Sequence, residues 1–150
     1  MTRRQWRLER LRAIEREYRV ALAAAEGLDQ LLRADPNALE GRGLKVKDRE
    51  NYRTNLESTY LVRLFAEFEA ALREAWGHAF GRATRPDMFD LIEAVAARCY
   101  IPENWKDSVH SVRPYRNALV HEGRDDAAAM PLIEARSHLG RFLSGLPHRW

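Results

Sequence analysis

An all-α fold, a compact bundle of four to five helices, is predicted by three features of the sequence. Apolar side chains recur at steps of three and four over long stretches, the period of an α-helix with one buried face. No segment alternates apolar and polar residues as a strand does. Pro and Gly fall between the periodic stretches and divide the chain into helix-length pieces.

The first helix is read from Leu11, Ile14, Tyr18, Ala21, Ala25, Leu28 and Leu32, one stripe opposed by Arg and Glu. Asp35-Pro36-Asn37 ends it, because the residue before Pro avoids helical backbone angles. Residues 36–50, with a Pro, two Gly and many charges, read as a loop and as the expected mobile element. A second helix is expected from about Asn51 to Ala79. Its Tyr60, Leu61, Leu64, Phe65, Phe68, Leu72, Ala75 and Trp76 cover nearly half the helix circumference, so it should lie at the bundle centre. Pro86-Asp87 opens a third helix, Met88 to Cys99. Pro102 marks a break before a fourth, Glu103 to Glu122, which Pro114 should bend or restart. Gly123 suits a helix C-terminus, and Asp125 and Asp126 can cap the next helix. Leu132, Leu139, Phe142, Leu143 and Leu146 define the last helix, closed by Pro147.

With 150 residues the chain reads as a single domain, residues 1–150, with enough length for a real core. No apolar run approaches membrane-spanning length, so no transmembrane helix is expected. Met1 to Arg19 holds seven Arg but no signal-type apolar stretch, and Glu9, Glu15 and Glu17 among them argue against a transit peptide. This Arg-rich segment reads first as a solvated helix face and only second as an RNA contact. Cys99 stands alone, so no intrachain disulfide forms and a reducing, cytoplasmic setting is expected. The net charge of +3 permits an RNA partner without demanding one.

One segment concentrates chemistry: Arg116-Asn117-Ala118-Leu119-Val120-His121, followed by Glu122-Gly123. Arg holds a phosphate through two parallel hydrogen bonds. His moves a proton near neutral pH. With 22 Arg and 5 His in the chain, an Arg and a His at this spacing arise by chance about 0.7 times, and two decoys exist, Arg73/His78 and Arg141/His148. Neither decoy Arg is followed by an amide; requiring Asn after the Arg lowers the chance expectation to about 0.02. On a straight helix residues five apart point roughly 140° away from each other. Arg116 and His121 on one helix therefore make a poor site, and two copies around a twofold axis make a better one. Activity is thus expected to need a homodimer.

The segment resembles the Arg-Asn-x-x-x-His form of the HEPN superfamily signature. Ser58-Thr59-Tyr60-Leu61-Val62-Arg63-Leu64-Phe65-Ala66-Glu67-Phe68-Glu69 is similar, less specifically, to the second helix of stand-alone prokaryotic HEPN proteins. The resemblance implies a helical bundle that dimerises through the motif helix. It also implies metal-independent RNA endonuclease activity in toxin–antitoxin or defence systems, with a cognate antitoxin or inhibitor protein as a further partner. By position, Arg116 and His121 would be the catalytic pair and Asn117 the polar residue that orients His121 or the phosphate. Gly123 departs from one group of such toxins, which carry a Tyr there that a partner nucleotidyltransferase modifies. Other members of the superfamily have lost activity and act as binding modules for RNA, a nucleotide or a protein.

Residues beyond the motif could support it. Arg113 and Arg124 flank the motif and could track an RNA backbone. Glu69 falls within the apolar arc of the second helix and needs either an Arg partner or a place in a functional pocket. Ser58 lies in the same arc and suits a packing hydroxyl better than a nucleophile. His78, His110, His138 and His148 read as surface or packing residues, and Tyr115 as packing in the core or a dimer seam. No His, Cys and carboxylate cluster has metal-ligand spacing, and no P-loop or dinucleotide fingerprint is present, so neither metal nor cofactor is expected.

Overall fold

The computed structural model describes residues 1–81, 84–120 and 130–150. Among the described residues five α-helices run in order: α1 (Arg3–Ala34), α2 (Val46–Phe80), α3 (Met88–Cys99), α4 (Glu103–Val120) and α5 (Leu132–Ser144), with a 3-10 turn at Glu40–Arg42. No strand occurs among the described residues. The arrangement is the compact all-α bundle that the periodicity predicts. α2 packs against each of the other four helices, the central position its wide apolar arc requires.

Side chains fix several helix starts by taking otherwise orphaned backbone N–H groups. The Thr2 hydroxyl accepts from Gln5 N at 3.2 Å while Gln5 Oε1 accepts from Thr2 N at 2.8 Å, a reciprocal box at the head of α1. Asp87 Oδ1 accepts from Asp90 N at 3.0 Å and opens α3. α5 is capped from a distance: Glu57 of α2 accepts from Leu132 N at 2.8 Å. Asp48 Oδ2 accepts from Lys45 N at 2.8 Å, and its charge sits in the first turn of α2. That local bond explains one departure from the sequence reading. α2 begins at Val46 instead of about Asn51, so the connection spans 35–45 and the final third of the expected 36–50 loop is helix. Leu39 within this connection is buried. The expected α4 terminus at Glu122-Gly123 and the caps Asp125 and Asp126 lie outside the described residues.

The core runs along α2. Leu61, Leu64, Phe65, Phe68 and Leu72 are buried together with Leu11, Leu91, Val112 and Leu139 from its four neighbours. Phe68 meets Phe142 edge to face, centroids 5.6 Å apart. Truncating such a ring to Ala costs about 3–5 kcal/mol.

Ion pairs bind α1 to its neighbours. Arg7, whose side chain is 11% exposed, donates to Glu67 at 2.6 Å and to Glu74 at 2.7 Å, and Arg3 also reaches Glu74. Trp6 lies beneath Arg3 and Arg7, each 4.8 Å from its ring centroid. Glu15, 7% exposed, is held by Arg19 of its own helix and by Arg136 Nε of α5 at 2.6 Å. Arg4 Nη1 donates to the carbonyls of Ser144 and Leu146 and fixes the chain after α5. Arg4 and Arg7 are thus structural, while Arg3, Arg10, Arg12, Arg16 and Arg19 lie exposed, the solvated face that the sequence suggests.

Candidate functional site: the second half of α4

α4 starts after Pro102, whose carbonyl accepts from Trp105 N and Lys106 N. From there two stripes run along it at steps of four, three and four. Trp105, Val109, Val112 and Arg116 form the first. Val109 and Val112 are fully buried, so Arg116 continues a core-facing stripe with a guanidinium. Its Cζ lies 5.7 Å from the centroid of the buried Phe65 ring. Its Nη1 donates to Asn117 Oδ1 at 3.0 Å, and its Nε is buried without a partner among the described residues.

Lys106, His110, Arg113 and Asn117 form the second stripe, whose first three members face α3. Arg113 Cζ lies 5.4 Å from the Phe89 ring, and its Nε is likewise buried and unpartnered among the described residues. The His110 ring stacks near the same Phe89, centroids 4.7 Å apart. His110 Nε2 lies 2.7 Å from Glu93 Oε1, and Lys106 Nζ donates to Glu93 Oε2 at 2.9 Å. The Lys106 hydrogen bond, with a smaller one from His110, holds the Glu93 carboxyl below the ordinary carboxylate range. Glu103 and Glu93 together push the Lys106 ammonium above its usual value. Pro114 stands inside α4 without breaking it. Lacking an N–H, it leaves the His110 carbonyl without its usual helical donor.

Arg113 and Arg116 are three residues apart, so their stems leave the helix roughly 60° apart and about 4.5 Å apart along the axis. Neither is paired with a carboxylate among the described residues. Guanidinium donors facing rings instead of anions suit a phosphodiester, whose oxygens accept the bonds that the protein does not.

The structure thus brings Arg113, Arg116 and Asn117 together. His121 and Arg124 lie outside the described residues. Glu69 does not join the group. It is half-exposed where the apolar arc had suggested burial, and its Oε1 accepts from Arg73 Nε at 2.8 Å. Arg73 also donates to the Pro86 carbonyl, so this decoy Arg ties α2 to the start of α3. Ser58 Oγ donates to the Asn55 carbonyl at 2.9 Å, a bond within its own helix. In the other decoy pair, His148 lies 2.9 Å from Arg4 Nη2. Sequence reasoning sets His110 among the surface or packing residues and singles out neither Glu93 nor Phe89. The signal for His110 is its place seven residues before Asn117 on one face; nothing in sequence announces the two α3 residues.

Among the described residues no group of three His, Cys, Asp or Glu side chains is placed to hold a metal ion. No helix among them is long and apolar enough to cross a membrane. Comparison with protein-family models, with curated proteins and with solved structures finds no match to this chain.

Proposed function

We propose that this protein is a metal-independent endoribonuclease of the HEPN type, active as a homodimer and serving as a toxin or defence effector. The observation that supports the reading best is Arg116: a guanidinium at the end of a buried stripe, facing Phe65, with no carboxylate beside it among the described residues. Such a cation is preorganised for an anion, and preorganised donors are what stabilise charge developing in a transition state.

In this reading His121 takes the proton from a ribose 2′-hydroxyl. The 2′-oxygen then bonds to phosphorus as the bond from phosphorus to the 5′-oxygen breaks. The departing 5′-oxygen receives a proton from the second copy's His121. Arg116 holds the non-bridging oxygens as negative charge builds on them. Asn117, already bonded to Arg116, orients the guanidinium or the phosphate. Arg113 and Arg124 guide the RNA backbone to the site. The products are a 2′,3′-cyclic phosphate and a 5′-hydroxyl. DNA lacks the nucleophile and stays intact. The cytoplasm is the expected setting, with an antitoxin or inhibitor protein as the expected control.

The test is cleavage of a labelled structured RNA in EDTA, wild type against Arg116→Ala and His121→Ala, with end-group analysis. Cutting by wild type alone, with cyclic phosphate ends, supports the proposal. A folded, dimeric wild type that binds RNA but never cuts it would point to a non-catalytic binding module.

A further inference from the structure

A cavity of about 620 Å³ opens where α2 and α3 end and the chain after α5 crosses them. Phe65, beneath Arg116, lies ten residues before Ala75, the first residue of α2 to line this cavity. That separation is about 15 Å of helix, so the cavity and the α4 cations are different places. Its volume falls in the range of small-molecule sites.

The walls are specific in chemistry. Ala75, Ala79, Val95, Leu146 and Pro147 make the surface apolar, and the indoles of Trp76 and Trp150 add flat aromatic faces. Arg98, Arg149 and His78 stand around it, and no Asp or Glu side chain is among the described lining residues. The Trp150 indole N–H is buried and has no acceptor among the described residues. The tail wall is held firmly. Arg4 grips the Ser144 and Leu146 carbonyls, and Leu146 is buried. Gly145 allows the close approach beneath, since a Cβ there would meet Ile101 Cγ1 at 2.9 Å. Burial pushes the Cys99 thiol up, with Arg98 opposing, so at neutral pH this lining residue is a protonated, apolar surface and not a nucleophile.

We infer that this cavity binds a planar aromatic acid, a small ring system carrying one carboxylate. The ring lies against Trp76 and Trp150 and displaces water from the apolar walls. The carboxylate lies at the Arg149 side, where the guanidinium supplies its donors. A neutral aromatic gives the Arg149 guanidinium no counter-charge, so charge and planarity are both required.

Calorimetric titration of the full chain with naphthalene-2-carboxylate, and with the uncharged naphthalene-2-carboxamide, tests this. Saturable binding of the acid is expected, with the amide at least about tenfold weaker. Arg149→Gln, a change at an exposed side chain, should weaken the acid by about tenfold and leave the amide unchanged. Ala79→Phe, which fills the cavity from an exposed position, should abolish binding of both. Thermal melts confirm that each variant is folded. Quenching of the tryptophan emission should accompany binding, because two of the four Trp line the site. No saturable binding of the acid, equal binding of acid and amide, or binding indifferent to both substitutions would each overturn the inference.

Discussion

On α1, Arg3, Arg7, Arg10, Arg12, Arg16 and Arg19 each face a carboxylate. On the second half of α4, Arg113 and Arg116 face Phe89 and Phe65 instead, and neither reaches a carboxylate among the described residues. The two groups look alike in composition and differ in what surrounds them. Ions already compensated within the protein have little left to offer a ligand, and where the pair is buried, as at Arg7, removing the partners disturbs the fold. Cations left against aromatic rings keep hydrogen-bonding capacity for something else. Arg count and net charge therefore mislead here, and surroundings decide.

The largest effect should come from breaking the α4 side of this contrast. Arg116→Ala is expected to lower RNA cleavage by about two to three orders of magnitude, as loss of an oxyanion donor does. Arg116→Lys keeps the charge but loses the planar fork, and should recover only a minor part of the rate. Stability in urea should change by no more than about 1 kcal/mol for the Lys variant, because the stem still packs on Phe65. Full cleavage by a folded Arg116→Ala protein would end the assignment of that residue.

The reciprocal change attacks α1. Replacing both Glu67 and Glu74 with Gln strips the anions from Arg7, an 11% exposed side chain. The expected cost is about 3 kcal/mol of folding stability, read from urea unfolding, with cleavage by the folded fraction unchanged. A loss of specific activity without a loss of stability would show that the α1 cations serve the RNA after all.

Arg113 sharpens the comparison further. Arg113→Ala should weaken RNA binding and lower the slope of log affinity against log salt by about one. Arg12→Ala, on the carboxylate-paired helix, should leave that slope where it was. Equal effects from the two would mean that both faces contact RNA.

Legibility in the sequence depends on the range of the interaction. The helices are readable because each carries its own periodic stripe and its own stop or start signal, such as Asp87 before Met88. The start of α2 is not, because Lys45, Lys47 and Asp48 look like loop residues until Asp48 is seen bonded to the Lys45 N–H. Glu57 capping α5 across 75 residues is invisible to any local rule. The need of Glu69 for an Arg is legible, and Arg73 one turn on supplies it, but its degree of exposure depends on how α3 sits. The core-facing register of Arg116 is present in the spacing of Trp105, Val109 and Val112. Its partner ring, Phe65, comes only from the packing of α2 against α4.

The smallest effect separates the two regions by pH. Burial pushes the Glu74 carboxyl up, but hydrogen bonds from Arg3 and Arg7 outweigh it and hold it below the ordinary carboxylate range. Glu93, beside α4, is lowered too, chiefly by Lys106. A carboxyl whose value is lower in the folded state favours folding above its unfolded value, near pH 4.3 for Glu, and loses that contribution as pH falls through the lowered value. Melting temperature should therefore fall from about pH 5 to about pH 3, and Glu74→Gln should flatten that fall. Glu93→Gln should flatten it less, since Glu93 is 36% exposed against 21% for Glu74 and solvent screens it more. The sign of the difference matters more than its size. Equal flattening by the two would mean that solvent does not distinguish the ladder joining α1 and α2 from the α3–α4 pair, and steeper acid loss in Glu74→Gln than in wild type would contradict the linkage itself.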